Sequence, residues 1–206
     1  ISHGDFDRRS ANHERLLQIQ AVVKDQGYVM NSILDQSVEQ LVEYAGNSLA
    51  WSYALRELNP FVITGLDALY IPHNQNHVLE LYDKVSNPQG QLTEQYLVDR
   101  AEFLAAYIEV NANDIDNEEV PTRITQKYFE DVDKALNIIP SDYDPLLTER
   151  VIFGSNNSAT PDTLTGADRD DHLFGQNGDD TLVGGGGMDY LEGGEGNDIL
   201  SGFDGG

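Results

Sequence analysis

The chain has 206 residues, with 36 acidic and 12 basic side chains and a formal net charge of −24 at pH 7. Binding to nucleic acids or to anionic membrane surfaces relies on Lys and Arg, so this charge argues against both. The sequence has no apolar run near the roughly 18 residues of a transmembrane helix, and it has no cysteine for disulfides or zinc–thiolate sites.

Apolar residues at helical spacing predict three helices in the first part of the chain. The first lies around residues 16–23. The second begins at Ser37, where Ser-Val-Glu-Gln forms a capping box, and it ends before Pro60. The third follows Thr93, and its apolar side is formed by Leu97, Ala101, Leu104 and Ile108. The segment 122–139 is compatible with either a helix or a strand.

A short motif around Ser48 raises the question of catalysis. The sequence Gly-Asn-Ser-Leu-Ala at residues 46–50 approaches the G-x-S-x-G nucleophile elbow of hydrolases. That elbow needs a strand before the serine and a helix after it, whereas the second predicted helix runs straight through Ser48. We therefore predict that this segment is not an enzyme, with catalysis at Ser48 as the alternative.

The last part of the chain repeats every nine residues. Five full repeats occupy residues 157–201, and a partial repeat follows. The sixth position is always aspartate: Asp162, Asp171, Asp180, Asp189 and Asp198. The eighth position is always leucine: Leu164, Leu173, Leu182, Leu191 and Leu200. A flexible glycine-rich linker has no reason to keep leucine at one phase of the period.

This pattern is identified as the G-G-x-G-x-D-x-U-x repeat of RTX proteins, which bind calcium. The resemblance implies a parallel β-roll, in which each x-Leu-x triplet is a short strand with its leucine in the core. Two repeats make one coil, so like-facing turns lie 18 residues apart in sequence, as Asp162 and Asp180 do. The resemblance also implies type I secretion and folding on Ca²⁺ outside the cell.

The resemblance further implies about three calcium ions bound between the turns of successive coils. The expected carboxylate pairs are Asp162 with Asp180, Asp171 with Asp189, and Asp180 with Asp198. Glycine permits the positive φ values that point carbonyls toward an ion, and the glycines assigned to the site are Gly175, Gly178, Gly184, Gly185, Gly187, Gly193, Gly194 and Gly196. Asn157 replaces the first glycine of its repeat, and Thr160 and Arg169 replace the fourth. We expect these first two repeats to form an entry cap with altered ligation.

The upstream part of the chain resembles, without a sharp motif, a helical region that precedes the repeats in large bacterial RTX proteins. The resemblance is carried by "RLLQIQAVV", "YALRELNPFVITGLDALY" and "LTEQYLVDRAEFLAAYI". Residues 151–157, "VIFGSNN", resemble the junction into the roll. Many such proteins have a lipase-like hydrolase domain farther upstream, but its nucleophile motif is not in this chain.

We therefore predict an α+β protein in two parts, a mainly α-helical domain over residues 1–150 and a calcium-bound parallel β-roll over residues 151–206. We expect the chain to be a piece of a longer, secreted, extracellular protein. The predicted function is a calcium-binding, non-catalytic segment whose helical domain caps the roll, with calcium and an upstream domain of the same polypeptide as partners. The alternatives are an accessory part of an RTX lipase or esterase, and a surface-binding segment of an RTX toxin or adhesin.

Overall fold

A computed structural model describes residues 18, 21–22, 24–25, 27–33, 36–65, 67–113, 126–157 and 160–202. The chain forms two compact units, residues 1–108 and residues 109–206, called here the N-terminal unit and the C-terminal unit. The apolar positions of the first predicted helix, Leu16, Ile19 and Val23, lie outside the described residues. Within the described part of the chain, no helix combines the length and the hydrophobicity needed to cross a bilayer.

Two strands and two helices lie within the described residues 27–65 of the N-terminal unit. Strand β1 (Val29–Ser32) pairs antiparallel with β2 (Phe61–Thr64), and α1 (Val38–Asn47) and α2 (Leu49–Arg56) lie between them in sequence. The predicted capping box is confirmed. Ser37 Oγ accepts a hydrogen bond from the Gln40 N–H at 3.3 Å, and Gln40 Oε1 accepts one from the Ser37 N–H at 2.9 Å. These bonds satisfy donors that the first helical turn leaves unpaired.

The second predicted helix is interrupted at Ser48, so the prediction of a continuous helix was wrong. Ser48 has φ −152° and ψ 122°, which are extended values, and it separates α1 from α2. Ser52 is fully buried, and its Oγ donates to the carbonyl of Ala45 at 2.6 Å. The break falls where Gly46 and Asn47, both poor helix formers, weaken the end of α1.

The third predicted helix is confirmed as α3 (Glu94–Asn113). Three of its four predicted core residues are fully buried: Leu97, Ala101 and Leu104. Thr93 begins the helix, because its Oγ1 accepts a hydrogen bond from the N–H of Tyr96 at 3.1 Å. Three short 3₁₀ helices lie between β2 and α3: Asp67–Leu69, Ile71–His73 and Gln75–His77.

A buried arginine joins α3 to the end of α2. Arg100 is only 1% exposed, and its Nε donates to the carbonyl of Leu55 at 3.2 Å. Its Nη2 donates to the carbonyl of Arg56, and its guanidinium lies over the rings of Tyr96 and Phe103. A cation is favourable here because the last carbonyls of a helix carry partial negative charge. Helical periodicity in the sequence does not predict that Arg100 is buried.

The C-terminal unit is a β-solenoid. Its strands are β3 (Tyr128–Asp131), β4 (Leu136–Ile138), β5 (Arg150–Phe153), β6 (Thr163–Thr165), β7 (His172–Phe174), β8 (Thr181–Val183), β9 (Tyr190–Glu192) and β10 (Ile199–Ser201). They form a five-stranded sheet of order β4-β3-β5-β7-β9 and a three-stranded sheet of order β10-β8-β6. All pairs are parallel except β3–β4. The predicted parallel β-roll is confirmed, with about four parallel turns between residues 128 and 201.

The leucines of the repeats form the core of the solenoid. Leu164 lies opposite Leu182, and Leu173 lies opposite Leu191 on the other sheet. Leu173 and Leu182 are 0% exposed and pack with Ile152. Leu200 is 46% exposed, because β10 is the outermost strand of its sheet.

We expected the roll to start at residue 151, but the parallel stacking of its strands begins upstream of that residue. The segment 122–139 contains strands: β3 pairs in parallel with β5, with Phe129 opposite Val151, and β4 pairs antiparallel with β3. Sequence periodicity did not separate helix from strand in this segment, because both strands are only three or four residues long. The division of the chain into domains at residue 150 stays a prediction.

Candidate metal centre

The aspartates at position six of the repeats stack on one another through the backbone. The N–H of Asp162 donates to Oδ1 of Asp180 at 2.8 Å, and the N–H of Asp180 donates to Oδ1 of Asp198 at 2.9 Å. On the other side of the roll, the N–H of Asp171 donates to Oδ1 of Asp189 at 3.1 Å. The structure therefore brings together each of the three expected pairs.

Two of these aspartates are buried. Asp171 is 0% exposed and Asp180 is 1% exposed. Burial raises the pKa of Asp171 to about 6. Burial, together with repulsion from Asp162 and Asp198, also raises the pKa of Asp180. The charged form of these side chains is therefore disfavoured unless a cation lies nearby.

The second carboxylate oxygen divides the turns into two kinds. In the closed turns, which end at Asp162 and at Asp171, Oδ2 accepts a hydrogen bond: the N–H of Ser155 donates to Asp162, and the N–H of Ala167 donates to Asp171, both at 2.5 Å. In the open turns, residues 175–180 and 184–189, Oδ2 of Asp180 and of Asp189 is buried without a hydrogen-bond donor among the described residues. The open turns thus present a buried anionic oxygen that is available to a ligand.

The conformation of position two distinguishes the same two classes. In the open turns this position has positive φ, +71° at Gln176 and +103° at Gly185. In the closed turns, position two does not have a positive φ. Its N–H, that of Ser155 or Ala167, donates a hydrogen bond to the aspartate instead. The glycine at residue 185 is a sequence signal for this positive φ, whereas the glutamine at residue 176 gives no such signal.

The assigned glycines have two different roles. Positive φ is found at Gly178, Gly185, Gly187, Gly194 and Gly196, as expected. The glycines at position one are not at positive φ. They allow close approach instead. A Cβ on Gly175 would lie 2.6 Å from Oδ2 of Asp180, and a Cβ on Gly184 or on Gly193 would likewise collide with the carboxylate of Asp189 or of Asp198. Any side chain there would displace the carboxylate.

The first closed turn begins earlier than the sequence period indicates. The N–H of Gly154 donates to the carbonyl of Phe174 at 2.8 Å, as the N–H of Gly175 donates to the carbonyl of Glu192 one coil later. Gly154 therefore takes position one, and three extra residues separate it from Asp162. The expectation that Asn157 replaces the first glycine was wrong, because an insertion shifts the register without changing the spacing of the aspartates.

The same residues fit one protein family. The sequence model of the family described as RTX calcium-binding nonapeptide repeat (4 copies) matches residues 158–189 and 183–205. Residues 158–205 carry RTX repeats. These repeats support calcium binding by this part of the chain, whereas the upstream resemblance to RTX lipase-like proteins stays a prediction. No curated protein and no solved structure matches the chain.

The oxygen atoms in the RTX turns suit calcium. A Cβ on Gly175 would collide with the carbonyl of Gly193 and with Oδ2 of Asp180. A Cβ on Gly178 would lie 2.8 Å from Oδ1 of Asp180 and 3.2 Å from the carbonyl of Thr160. Within the described residues, no three His, Cys, Asp or Glu side chains gather at one point. The other oxygens that lie beside these carboxylates, and that would complete a calcium site, are backbone carbonyls. Calcium takes roughly six to eight such ligands.

A second aspartate ladder runs along the outside of the RTX turns at position five, and we did not predict it. Oδ1 of Asp170 accepts from the N–H of Met188, and Oδ1 of Asp179 accepts from the N–H of Asn197, both at 2.8 Å. These aspartates are exposed and bind backbone one coil farther along. The sequence signal was the doubled aspartate at residues 170–171 and 179–180, whose first member has this structural role.

Proposed function

We propose that the C-terminal unit is a calcium-ordered, non-catalytic β-roll of a secreted RTX protein. The observation that carries this proposal is the buried oxygen of the open turns: Asp180 is 1% exposed, and its Oδ2 has no donor among the described residues. Burying an anionic oxygen without a partner is strongly unfavourable. Calcium supplies a divalent positive charge that both carboxylates of a pair can share.

We assign about three sites to the roll, each between two consecutive turns on one side. Asp162 and Asp180 hold the first, Asp171 and Asp189 the second, and Asp180 and Asp198 the third. Asp180 lies between two acidic neighbours and therefore belongs to two sites. The backbone contact within each pair, 2.8–3.1 Å long, supports the assignment because it fixes the spacing of the two carboxylates before a cation is added.

Calcium dependence of folding follows from charge and chain entropy. Residues 151–206 contain nine Asp, two Glu and one Arg, and each repeat contributes a strand of only three residues. Ordering glycine-rich turns has a high entropic cost, and stacked carboxylates repel one another. We therefore propose that the roll orders completely only when calcium is abundant, at the roughly 10⁻⁴–10⁻³ M of extracellular modules.

A calcium titration of the whole chain tests this proposal. We expect circular dichroism to show a gain of β structure near about 0.1–1 mM calcium. Asp180→Asn should raise the calcium midpoint. Asp168→Asn removes the same charge from an exposed position of a turn and should leave the midpoint within about twofold, since exposed charges contribute little. An unchanged wild-type spectrum at millimolar calcium would contradict the proposal.

Secretion by the type I route is part of the same proposal. A roll that needs calcium would stay unfolded where calcium is scarce and would fold after export, which the acidic RTX turns support. Fractionation of the producing cells, followed by detection of the chain with an antibody, tests the localisation. Retention of the chain in the washed cell pellet would contradict secretion.

We also propose that the described chain has no hydrolase site at Ser48. The residue follows α1 rather than a strand, which is not the arrangement of a nucleophile elbow. Ester hydrolysis by the purified chain is expected to equal that of Ser48→Ala. Hydrolysis that this substitution abolishes would favour the lipase or esterase alternative.

Capping of the roll by the segment upstream of residue 151 is proposed as well. Strand β4 covers the edge of β3, and Asp133 accepts hydrogen bonds from Ser155 Oγ at 2.8 Å and from the Asn156 N–H at 2.9 Å. A first coil needs such cover because it otherwise exposes a sheet edge. Asp133→Ala should speed hydrogen exchange at Asn156, with the exposed Asp142→Ala as control. Equal exchange rates in the two variants would contradict a capping role for Asp133.

A further inference from the structure

Arg150 begins β5, in the coil of β5 and β6 that is called here the first coil, and it occupies the place that aspartate occupies in the two coils that follow. Val151 lies opposite His172, and His172 lies opposite Tyr190, so the residues just before them share one register: Arg150, Asp171 and Asp189. The backbone contacts agree. The N–H of Arg150 donates to Oδ1 of Asp171 at 2.6 Å, as the N–H of Asp171 donates to Oδ1 of Asp189 at 3.1 Å.

The guanidinium of Arg150 lies among oxygen atoms of this first turn. Nη1 donates to the carbonyl of Thr165 at 3.0 Å and to that of Gly166 at 3.4 Å. Nη2 donates to the carbonyl of Pro145 at 2.8 Å and to the hydroxyl of Tyr143 at 3.3 Å. Three backbone carbonyls and one hydroxyl thus converge on a cationic side chain, as oxygen ligands converge on a metal ion.

We propose that Arg150 is a built-in cation that replaces calcium in the first coil, so that this coil folds without metal and templates the calcium-dependent coils after it. The inference rests on the proposed calcium-ordered roll. Asp171 has a positive neighbour in Arg150 and an acidic one in Asp189, and both its oxygens accept backbone hydrogen bonds. Asp180 has acidic neighbours on both sides.

The calcium requirement therefore changes along the roll. Residues 150 and 171 form no calcium site, because their pair is Arg–Asp rather than Asp–Asp, and the first site on that side is the pair Asp171–Asp189. Strands β5 and β7 should hold together at low calcium, whereas β8, β9 and β10 should not. This order suits a roll that is built from one end, because each coil needs a neighbour on which to stack.

Hydrogen exchange of the whole chain, measured by mass spectrometry in chelator and in saturating calcium, tests the inference. In chelator, the wild type should protect amides of β5 and β7. Arg150→Ala should speed their exchange by about tenfold or more, as expected for the loss of charge-assisted hydrogen bonds. The matched control Arg169→Ala removes the same charge from an exposed position in the neighbouring turn and should leave exchange within about twofold.

The variant Arg150→Asp tests whether Arg150 substitutes for calcium or serves only in packing. It creates an Asp–Asp pair between residues 150 and 171, so exchange in β5 and β7 should be fastest in chelator. Calcium should then slow this exchange more than it does in Arg150→Ala. If neither variant regains protection in calcium, or if Arg150→Ala matches the wild type in chelator, the inference is wrong. If the wild type itself gains no protection from calcium, the proposed calcium-ordered roll fails instead.

Discussion

The backbone N–H of Asp162 lies 2.8 Å from Oδ1 of Asp180, which follows it by 18 residues. The same contact recurs from Asp180 to Asp198 and from Asp171 to Asp189. One oxygen of each downstream carboxylate therefore helps to stack the coils. In the open turns, the other oxygen is buried without a donor among the described residues. A single side chain thus links the geometry of the solenoid to its affinity for a cation.

Substitution of Asp180 should reduce the number of bound calcium ions more than substitution of Asp198. Asp180 belongs to two of the assigned pairs and Asp198 to one, so Asp180→Asn should lose about two ions per chain and Asp198→Asn about one. Isothermal titration calorimetry of each whole-chain variant gives the stoichiometry. Equal losses in the two variants would show that Asp180 is not shared.

Acid should stabilise the metal-free roll. Burial raises the pKa of Asp171 from 3.8 to about 6, so the folded chain binds a proton more tightly than the unfolded chain. The resulting stabilisation is fully present below about pH 4 and is lost as the pH rises through about 6. The pKa of Asp180 is raised as well.

The expected result is a higher free energy of unfolding, or more β signal, at pH 5 than at pH 7 when calcium is absent. Urea unfolding followed by circular dichroism measures it in the metal-free chain. With calcium present the trend should reverse, because protons then compete for the carboxylates. A metal-free chain that is more stable at pH 7 would contradict the role assigned to the buried aspartates.

Much of the roll could be predicted from the sequence, because its information is periodic. Aspartate and leucine keep one phase over five repeats, and that phase fixes which residues stack and which enter the core. Insertions and exceptions carry no such signal. The extra residues after Gly154 moved the start of the first turn, and Gln176 adopts a positive φ where glycine was expected.

Residues that act through one long-range contact could not be predicted in this way. Arg150 and Arg100 are ordinary basic residues in the sequence, and only the fold places them against Asp171 and against the end of α2. The break at Ser48 is similar, since a helical pattern of apolar residues continues across it. Local periodicity determines which face is buried, but it does not determine where a helix is interrupted.

Gly196 should tolerate no side chain, whereas Gly186 in a neighbouring turn should accept one. Gly196 has φ +141°, and a Cβ there would collide with the carbonyl of Gly178. Gly186 lacks a positive φ, and its Cβ would lie 3.3 Å from the Cα of Asp168. We expect Gly196→Ala to lower the free energy of unfolding in calcium by about 1–3 kcal/mol, and Gly186→Ala by less. Chemical unfolding at saturating calcium compares them, and equal losses would contradict this explanation.

Arg100 should stabilise the N-terminal unit through its bonds to the end of α2. Arg100→Met keeps much of the side-chain volume but leaves the carbonyls of Leu55 and Arg56 without this donor. Hydrogen bonds to charged groups contribute about 1.5–3 kcal/mol, so we expect a loss of that size. Thermal unfolding followed by circular dichroism measures it, with Lys84→Met on the exposed surface as the control. A loss no greater than that of the control would mean that Arg100 serves only to fill space.

Leu173 and Leu200 occupy the same position of the repeat, but only Leu173 should matter greatly for stability. Leu173 is 0% exposed and lies between the leucine layers of the roll, whereas Leu200 is 46% exposed on the outermost strand. Leu173→Ala should lower the free energy of unfolding in calcium by about 2–5 kcal/mol, the usual result of a buried cavity. Leu200→Ala removes the same atoms from a site that already faces solvent, so its loss should be under about 1 kcal/mol. Urea unfolding of both variants at saturating calcium measures the difference, and similar losses would show that another chain or segment covers Leu200 in solution.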